Sequence, residues 1–351
     1  MTDGDLGVAQ QLLETASSAV LLAHINPDAD ALGSALALGL ALRGRGMQVA
    51  VGFAEPATVP DSLAALPGQD LIRPAADLPA DPDLVVTLDV GAAERLGALG
   101  SMLAGAPSLV IDHHRTNTRF GTHHLIDPEA EATVVLVARL LDVMGATIDA
   151  DMAACLYAGL ATDTVSFRNA TAHTHRLAAR LVDAGARPAE LLAPITDTHP
   201  FGFLGMLSGV LHRAVLERGV AAGAPLVHTG VTLADAAGLR GEEVDSVIDI
   251  VRTTAGAGVA MVAKQSAPDL WQVSLRSGGA VDVAAVAVRL SGGGHSRAAG
   301  FTHHGDYDSA TARVREQLQA AATSDPPPSS DPAGPAIEPT RGPEAQPGGR
   351  G

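Results

Sequence analysis

The stretch AVLLAHINPDADALGSALALGLALRG, residues 19–44, decides the fold. It begins with a short apolar run ending at His24, which is typical of a buried strand, and residues 31–44 continue as an apolar helix. A polar loop that contains Asp28 and Asp30 lies between them. Strand, loop and helix in this order predict one unit of an α/β domain, in which the loop stands at the carboxyl end of the strand.

The same alternation continues through the N-terminal half of the chain. Further apolar runs predict strands near 47–54, 83–90 and 108–114. Later segments predict helices near 130–145 and 150–161. Short buried strands that alternate with helices indicate a mainly parallel sheet flanked by helices. We therefore expect an α/β domain over residues 1–185.

The C-terminal half predicts a second, smaller α/β domain over residues 213–322. Its strands are expected near 225–233, 258–265 and 270–276, and its helices near 241–255, 281–290 and 308–321. The proline-containing segment 186–212 is interpreted as a linker. Residues 323–351 are rich in proline and glycine, and we expect them to be disordered because they offer little apolar surface to bury.

Composition limits the possible functions. The formal net charge of −16 argues against a protein that coats long nucleic acid by neutralising phosphates. Aromatic residues make up only 3% of the chain, so a groove that stacks a long single strand is not expected. No secretory signal or membrane-spanning stretch is visible, which predicts a cytoplasmic protein without a membrane partner.

The loop after the first strand predicts a metal site. His24, Asp28 and Asp30 place one imidazole and two carboxylates within seven residues, a suitable ligand set for a divalent ion. The alternative is that Asp30 caps the helix that follows. A cap requires only one short polar side chain, so it leaves His24 and Asp28 without a role.

Two isolated aspartates extend this prediction. Asp89 ends the apolar run of VVTLDV, where a carboxylate is placed to bridge two metals, and Arg95 follows it closely in the sequence. Asp163 lies in the triplet TDT after an apolar helix and would complete a ligand set. Strands often end in aspartate and helices often end near one, so both assignments depend on the other motifs.

The triplet Asp112-His113-His114 closes another apolar run. Two adjacent histidines point in different directions, so one of them is expected to bind a given metal while the other orients substrate or donates a proton. Asp112 is placed to hold an imidazole in one tautomer. The alternative is a solvated histidine pair.

A glycine-rich segment, SGGGHSRAAG at 291–300, carries the final motif. Backbone N–H groups at Gly293 and Gly294 can cradle a phosphate, and His295 and Arg297 add donors and positive charge. Arg276, in the predicted strand VSLRS, is a further phosphate-binding residue. The alternative is a flexible turn.

In order, the motifs HINPDAD, LD, DHH, TDT and GGGHSRAAG closely resemble those of the DHH phosphoesterases that carry a DHH-associated domain. Within this family, the short two-domain organisation of this chain resembles that of the NrnA-type oligoribonucleases, or nanoRNases. The resemblance covers roughly residues 8–322. Ala29, Val165 and Ser291 depart from the pattern, because glycine is common at these positions in the family.

The resemblance implies two divalent ions, usually Mn²⁺, with Mg²⁺ or Co²⁺ as alternatives. The implied ligands form two groups that share Asp89: His24 and Asp28 for one ion, and Asp30, His113 and Asp163 for the other. His114 would contact the scissile phosphate, supported by Asp112. The glycine-rich segment of the second domain would grip the terminal nucleotide or phosphate as that domain closes over the first.

The implied reaction is two-metal hydrolysis of short RNA oligomers, of about two to five nucleotides and including pApA, to nucleoside 5′-monophosphates. Hydrolysis of the mononucleotide pAp to AMP and a homodimeric assembly are also expected. Four alternatives remain. A cyclic di-AMP phosphodiesterase would use the same metals, and a pyrophosphatase would not need the GGGH motif. A nucleotide sensor would need a broken ligand set. A general nucleic-acid-binding module would need a basic surface.

Overall fold

The computed structural model describes residues 3–221, 223–279 and 281–323. Within this part of the chain, two sheets form, each of them covered by helices on its faces. The predicted arrangement of two α/β domains is therefore confirmed. The segment after residue 323, which we expect to be disordered, lies outside the described residues.

In the described residues, the first sheet has five parallel strands in the order β2-β1-β3-β4-β5. The strands are β1 (Ser18–Leu22), β2 (Gln48–Gly52), β3 (Leu84–Leu88), β4 (Ser108–Asp112) and β5 (His123–Ile126). The first four correspond to the apolar runs in the sequence. They are apolar throughout because both faces of the sheet are covered.

One face of this sheet carries a layer of helices and the main core. The helices are α1 (Asp3–Thr15), α2 (Ala29–Gly44), α3 (Thr133–Val143), α4 (Ala150–Asp163) and α5 (Ala172–Asp183). The opposite face packs against the 3₁₀-helical stretch Ala93–Ala104 through Leu96 and Leu99. The alternating side chains of β1 divide between the two cores, as a strand geometry with a period of two residues requires.

The strand order places a topological switch point between β1 and β3. The chain passes from β1 outward to β2, then returns to the other side of β1 and continues through β3, β4 and β5. The carboxyl ends of strands at such a point border a crevice, because the connections on either side lead in opposite directions. The polar ends of β1, β3 and β4 therefore meet at one edge of the sheet.

A close approach of α2 and α4 fixes the position of this edge. A β-carbon at Gly33 of α2 would lie 2.5 Å from the carbonyl oxygen of Cys155, and one at Gly159 of α4 would lie 2.9 Å from the α-carbon of Asp30. Both glycines thus allow the two backbones to pack directly against each other. This contact sets how deeply the first turn of α2, which carries Asp30, is buried against α4.

Among the described residues, the second sheet has six strands in the order β10-β11-β9-β8-β7-β6. The strands are β6 (Val215–Ala221), β7 (Ala224–Val231), β8 (Val259–Ala267), β9 (Leu270–Ser277), β10 (Gly293–His295) and β11 (Ala298–His304). Only the pair β7–β8 is parallel, and the other neighbours are antiparallel. The helices α7 (Gly202–His212) and α8 (Gly241–Val251) cover one face, and α9 (Val283–Arg289) and α10 (Tyr307–Thr323) cover the other.

The segment 186–212 is not the irregular linker that its prolines suggest. It contains α6 (Pro188–Leu192), a π-helical turn (Ala193–Asp197) and α7. The first two elements pack against the first core, whereas α7 inserts Phe203 and Met206 into the second. The prolines stand near the starts of these helices, where a missing N–H is tolerated, and they therefore do not interrupt them.

Other elements were also missed. Helix α1 and strands β5, β6 and β11 were not predicted, and neither was α5, although α5 is amphipathic and begins with a capping box at Thr171; the glycine-rich segment forms the hairpin β10–β11. Their positions depend on partners that are distant in sequence.

In the described residues, no helix is both long enough and apolar enough to cross a membrane.

The α2–α4 contact leads to a prediction about stability. Gly33→Ala is expected to destabilise the protein by about 1–3 kcal/mol, because its methyl group would overlap a backbone carbonyl that cannot move independently. Chemical denaturation monitored by circular dichroism measures this loss. The matched control is Gly44→Ala in the same helix, where a β-carbon meets nothing within 4 Å. An equal loss in both variants would contradict the packing argument.

Candidate active site

Side chains from the ends of three adjacent strands converge at the switch point. His24 follows β1, Asp89 follows β3, and Asp112 ends β4 just before His113 and His114. His24, Asp89, Asp112 and His113 are all buried. Buried charged groups of this kind require partners, and the described residues form four overlapping clusters of potential metal ligands, two of which contain the side chains predicted to bind metal.

His24, Asp28 and Asp89 form the first group. The Nε2 atom of His24 lies 3.7 Å from Oδ2 of Asp28 and 3.7 Å from Oδ2 of Asp89. The Nδ1–H of His24 donates to the carbonyl oxygen of Ile25 at 2.8 Å. This bond selects the tautomer in which Nε2 is free to bind a metal.

The helix cap in this loop is Asp28 and not Asp30. Oδ1 of Asp28 accepts hydrogen bonds from the backbone N–H groups of Asp30 and Ala31, which identifies Asp28 as the N-cap of α2. Asp28 thus uses one oxygen as a cap and presents the other to His24. The sequence alternative of a cap at Asp30 is therefore wrong, because Asp30 already lies in the first turn of the helix.

Asp30, His113 and Asp163 form the second group. The Nε2 atom of His113 lies 3.2 Å from Oδ2 of Asp163, 3.5 Å from Oδ1 of Asp89 and 3.9 Å from Oδ2 of Asp30. The Nδ1–H of His113 donates to the carbonyl oxygen of Ala130 at 3.1 Å, which again leaves Nε2 free. All members of both groups were singled out from the sequence.

Asp89 stands between the two groups. Its Oδ2 faces His24 and its Oδ1 faces His113. The backbone of Asp89 has φ +62°, a left-handed conformation that aspartate tolerates better than most residues. The chain therefore turns immediately after β3, and the carboxylate lies where it is within reach of both histidines.

The electrostatics of the site fit divalent cations. Burial raises the pKa of Asp30 and of Asp163 well above the usual range, and the negative charge of Asp89 raises both further. Burial alone would lower the pKa of His24, but its contacts with Asp28 and Asp89 outweigh this effect and raise the value to about 10. Carboxylates that repel one another at close range require positive charge, and oxygen and imidazole donors suit Mn²⁺, Mg²⁺ or Co²⁺.

His114 belongs to a separate hydrogen-bonded chain. Its Nδ1–H donates to Oδ1 of Asp112 at 2.7 Å, and Nδ2–H of Asn117 donates to Oδ2 of the same carboxylate at 2.5 Å. Burial lowers the pKa of His114, but the contact with Asp112 and the charge of Asp89 outweigh it and raise the pKa to about 9. The contact with Asp112 thus favours the protonated form of His114, which can donate from Nε2.

The second domain reaches this site through the hairpin β10–β11. The ring of His295 stacks on that of His114 with a centroid distance of 4.7 Å, and it lies 4.8 Å from that of His113. Burial and the charges of these two histidines lower the pKa of His295 to about 4. The backbone N–H of Gly294 points to Oγ1 of Thr116 at 3.4 Å. The predicted glycine-rich motif is thus brought to the metal-ligand groups.

The glycines of this hairpin have a packing role in addition to any phosphate contact. A β-carbon at Gly292 would overlap the carbonyl oxygen of Gly300, and one at Gly294 would lie 2.5 Å from that of Ala298. Gly293 has its nearest neighbour, Thr116, in the other domain. The backbone of β10 therefore lies close to β11 on one side and to the first domain on the other.

The three predicted arginines differ in their positions. Burial lowers the pKa of Arg276, while the negative charges of Asp249, Asp245 and Asp163 act to raise it, and its guanidinium lies within salt-bridge distance of no carboxylate among the described residues. Arg95 is exposed, and its charge lowers the pKa of His24. The guanidinium of Arg297 lies beside Gly279, and no contact brings it to the ligand groups within the described part of the chain.

Two departures from the family pattern coincide with unusual backbone. Val165 has φ +54° and Ser291 has φ +65°, both in the left-handed region that glycine adopts without strain. Val165 begins a run with Ser166 and Phe167 in which all three φ values are positive. The turn after Asp163 therefore keeps a glycine-like conformation although this sequence has no glycine there.

Sequence reasoning missed several residues that support the site. Thr133 donates its hydroxyl to Asp89, Asn117 holds Asp112, and Thr116 contacts Gly294. The one available signal was Ala132, which precedes an apolar helix at a position where a capping side chain is expected. A helix start without its own cap indicates that a distant group supplies one.

Comparison with known proteins agrees with this geometry. The family descriptions "DHH family, N-terminal domain" and "DHHA1 domain" match residues 18–160 and 226–321. The chain is 33% identical over 320 residues to the bifunctional oligoribonuclease and PAP phosphatase NrnA of Thermus thermophilus, covering 90% of this chain and 94% of that protein. It is 25% identical over 304 residues to the cyclic-di-AMP phosphodiesterase GdpP of Geobacillus thermodenitrificans, covering 82% of this chain and 44% of that protein.

Among solved structures, an exopolyphosphatase-related protein from Bacteroides fragilis superimposes with a TM-score of 0.80 at 22% identity, covering 92% of this chain and 97% of that one. This likeness establishes the shared fold. Together with the ordered pair of domains and the extended identity to NrnA, it places the chain in the DHH family of phosphoesterases, in the group that carries a DHHA1 domain.

Proposed function

We propose that the protein hydrolyses short RNA oligonucleotides, including pApA, to nucleoside 5′-monophosphates and converts pAp to AMP. The observation that carries this proposal is the position of Asp89, whose two oxygens face two separate sets of metal ligands. A carboxylate shared between two ions would hold them close together, as two-metal phosphoester hydrolysis needs. The name of the Thermus thermophilus relative supports the choice of substrates.

The residues fit two divalent ions, which we infer to be Mn²⁺, with Mg²⁺ or Co²⁺ as substitutes. One ion would be held by His24 and Asp28. The other would be held by Asp30, His113 and Asp163, and Asp89 would contribute to both. When bound, these ions polarise the phosphoryl oxygens and lower the pKa of the attacking water. The ligand residues contribute a fixed geometry, because each imidazole is oriented by a backbone carbonyl.

His114 is assigned the role of a donor to the scissile phosphate. Its proton on Nδ1 is held by Asp112, so a second proton on Nε2 is available to a phosphoryl oxygen. The buried Asp112 keeps this imidazole charged and correctly oriented, and Asn117 holds Asp112 in turn. The pair thus provides a cation that strengthens its hydrogen bond as negative charge develops on the phosphate.

The second domain supplies the remaining phosphate contacts. The guanidinium of Arg276 lies within electrostatic range of Asp249 and Asp245 in the second domain and of Asp163 in the first. His295 covers His114 and remains neutral, so it can accept or donate at the substrate. Arg95, Gly293, Gly294 and Arg297 are predicted to add contacts farther from the reacting phosphorus. Positive charge is therefore local, which is how a chain of net charge −16 can hold an anionic substrate.

The alternatives have less support. Cyclic di-AMP hydrolysis would use the same ligands, but the chain covers only 44% of the GdpP protein it resembles. A non-catalytic sensor is disfavoured because all six ligand side chains are present and face one another. A cytoplasmic location remains a prediction from the sequence, and a homodimeric assembly remains a prediction from the resemblance.

Replacing Asp89 tests the shared carboxylate. Asp89→Asn keeps the shape and tolerates the left-handed backbone, and it removes the charge that both ions need. We expect kcat/KM for pApA with Mn²⁺ to fall by about 1,000-fold or more, which corresponds to about 4 kcal/mol. Unfolding curves of the two proteins serve as the control for folding. Full activity of a well-folded Asp89→Asn protein would refute the two-metal assignment.

A substrate panel tests the length limit. The protein is incubated with Mn²⁺ and, separately, with pApA, pAp, cyclic di-AMP and a 24-nucleotide RNA, and the products are separated by chromatography. We expect rapid formation of AMP from pApA and pAp and almost no cleavage of the long RNA. Faster turnover of cyclic di-AMP than of pApA would favour the phosphodiesterase alternative.

Replacing Arg276 tests the role of the second domain. Arg276→Met removes a charged hydrogen-bond donor of the cleft, and we expect KM for pAp to rise about 10- to 100-fold. Mn²⁺ affinity should stay at the wild-type value because Arg276 is not a ligand. Arg289→Met, at an exposed arginine of α9, is the matched control. A KM unchanged by Arg276→Met would exclude Arg276 from substrate binding.

A further inference from the structure

The N-terminus of α3 contacts two deeply buried carboxylates of the site, Asp30 and Asp89. The backbone N–H of Thr133 donates to Oδ2 of Asp30 at 2.6 Å, and that of Val134 donates to Oδ1 at 2.9 Å. The N-cap position is occupied by Ala132, whose side chain cannot accept a hydrogen bond. Asp30 therefore caps a helix that begins 103 residues later in the chain.

The side chain of Thr133 makes a second, independent contact. Its hydroxyl donates to Oδ1 of Asp89 at 2.8 Å, and both side chains are buried. A carboxylate oxygen only accepts, so the direction of this bond is fixed. One residue thus binds Asp30 through its backbone and Asp89 through its side chain.

This contact determines how the carboxylate of Asp89 is rotated. The terminal torsion of an aspartate is broad, so the strand end alone does not set the plane of the two oxygens. A donor on Oδ1 fixes this plane, with Oδ1 toward His113 and Oδ2 toward His24. A rotated carboxylate would present both oxygens to one group and leave the other short of a ligand.

We propose that Thr133 is a positioning residue that holds Asp89 in the orientation required to bridge two divalent ions. The role rests on the proposed function, since it concerns the same pair of ions. It assigns to Thr133 a task that is separate from starting α3. Any residue except proline could supply the backbone N–H to Asp30, whereas only serine or threonine could supply the hydroxyl at this position with the same short reach.

The test compares Thr133→Val with Thr133→Ser. Valine keeps the shape, the β-branch and the backbone N–H, and it removes only the donor to Asp89. Serine keeps the donor. We titrate the metal-free proteins with Mn²⁺ and follow free Mn²⁺ by electron paramagnetic resonance. We expect Thr133→Val to weaken Mn²⁺ binding by about 10- to 100-fold, and Thr133→Ser to retain the wild-type affinity.

Thr87 provides a matched control. It is fully buried in β3, two residues before Asp89, and its Oγ1 has no hydrogen-bond partner among the described residues. Thr87→Val therefore makes the same chemical change close to Asp89 in the sequence, in the strand that leads to it, without removing a bond. We expect its Mn²⁺ affinity to equal that of the wild type. If Thr133→Val does not fold, Thr133→Ala replaces it in the test, because alanine also lacks the hydroxyl but does not put a methyl group in its place.

The outcomes separate this proposal from the proposed function. Weaker Mn²⁺ binding in Thr133→Val and Thr133→Ala, with wild-type binding in Thr133→Ser and Thr87→Val, supports the positioning role. Equal Mn²⁺ affinity in all folded variants overturns it, while hydrolysis of pApA by the wild type would still stand. A loss of thermal stability without a change in Mn²⁺ affinity also overturns it, since Thr133 would then serve α3 alone. Failure of the wild type to bind Mn²⁺ would overturn both proposals.

Discussion

Like-charged carboxylates buried at one edge of a sheet are the constraint on which the rest of this structure depends. Asp30 and Asp89 are almost inaccessible to solvent, and Asp163 lies within reach of the same histidine. Such groups stay ionised only when hydrogen bonds and cations replace the lost water. The chain supplies hydrogen bonds from the start of α3 and imidazoles from two strand ends, and the same side chains form clusters that could hold metal ions.

The helical layer of the first domain serves this arrangement. Gly33 and Gly159 allow α2 and α4 to approach each other closely, and this approach sets the depth of Asp30. Helix α3 then points its N-terminus at the same carboxylate, so that the partial positive charge of the helix end faces the negative cluster. The packing of the core and the electrostatics of the site are thus two consequences of the same helix positions.

The second domain completes the site instead of merely covering it. The hairpin β10–β11 stacks His295 on His114, and strand β9 carries Arg276 within electrostatic range of Asp163. Further contacts join the domains away from the site, including a hydrogen bond of 2.6 Å from Ser62 to Glu242. A small anionic substrate would therefore meet ligands from the first domain and donors from the second, which is consistent with a limit on substrate length.

The sequence by itself determined the alternation of strands and helices and the candidate ligand side chains that the structure brings together. The apolar runs ending in His24, Asp89 and Asp112 required only local pattern, because strands buried on both faces are apolar throughout and their polar ends stand out. Tertiary structure decided which residues hold those ligands in place. The cap of α3 by Asp30 and the contact between Thr133 and Asp89 join residues far apart in the chain, and no local pattern encodes such pairs. For the same reason the helix α7 was taken for a linker: its apolar face has meaning only against the second sheet.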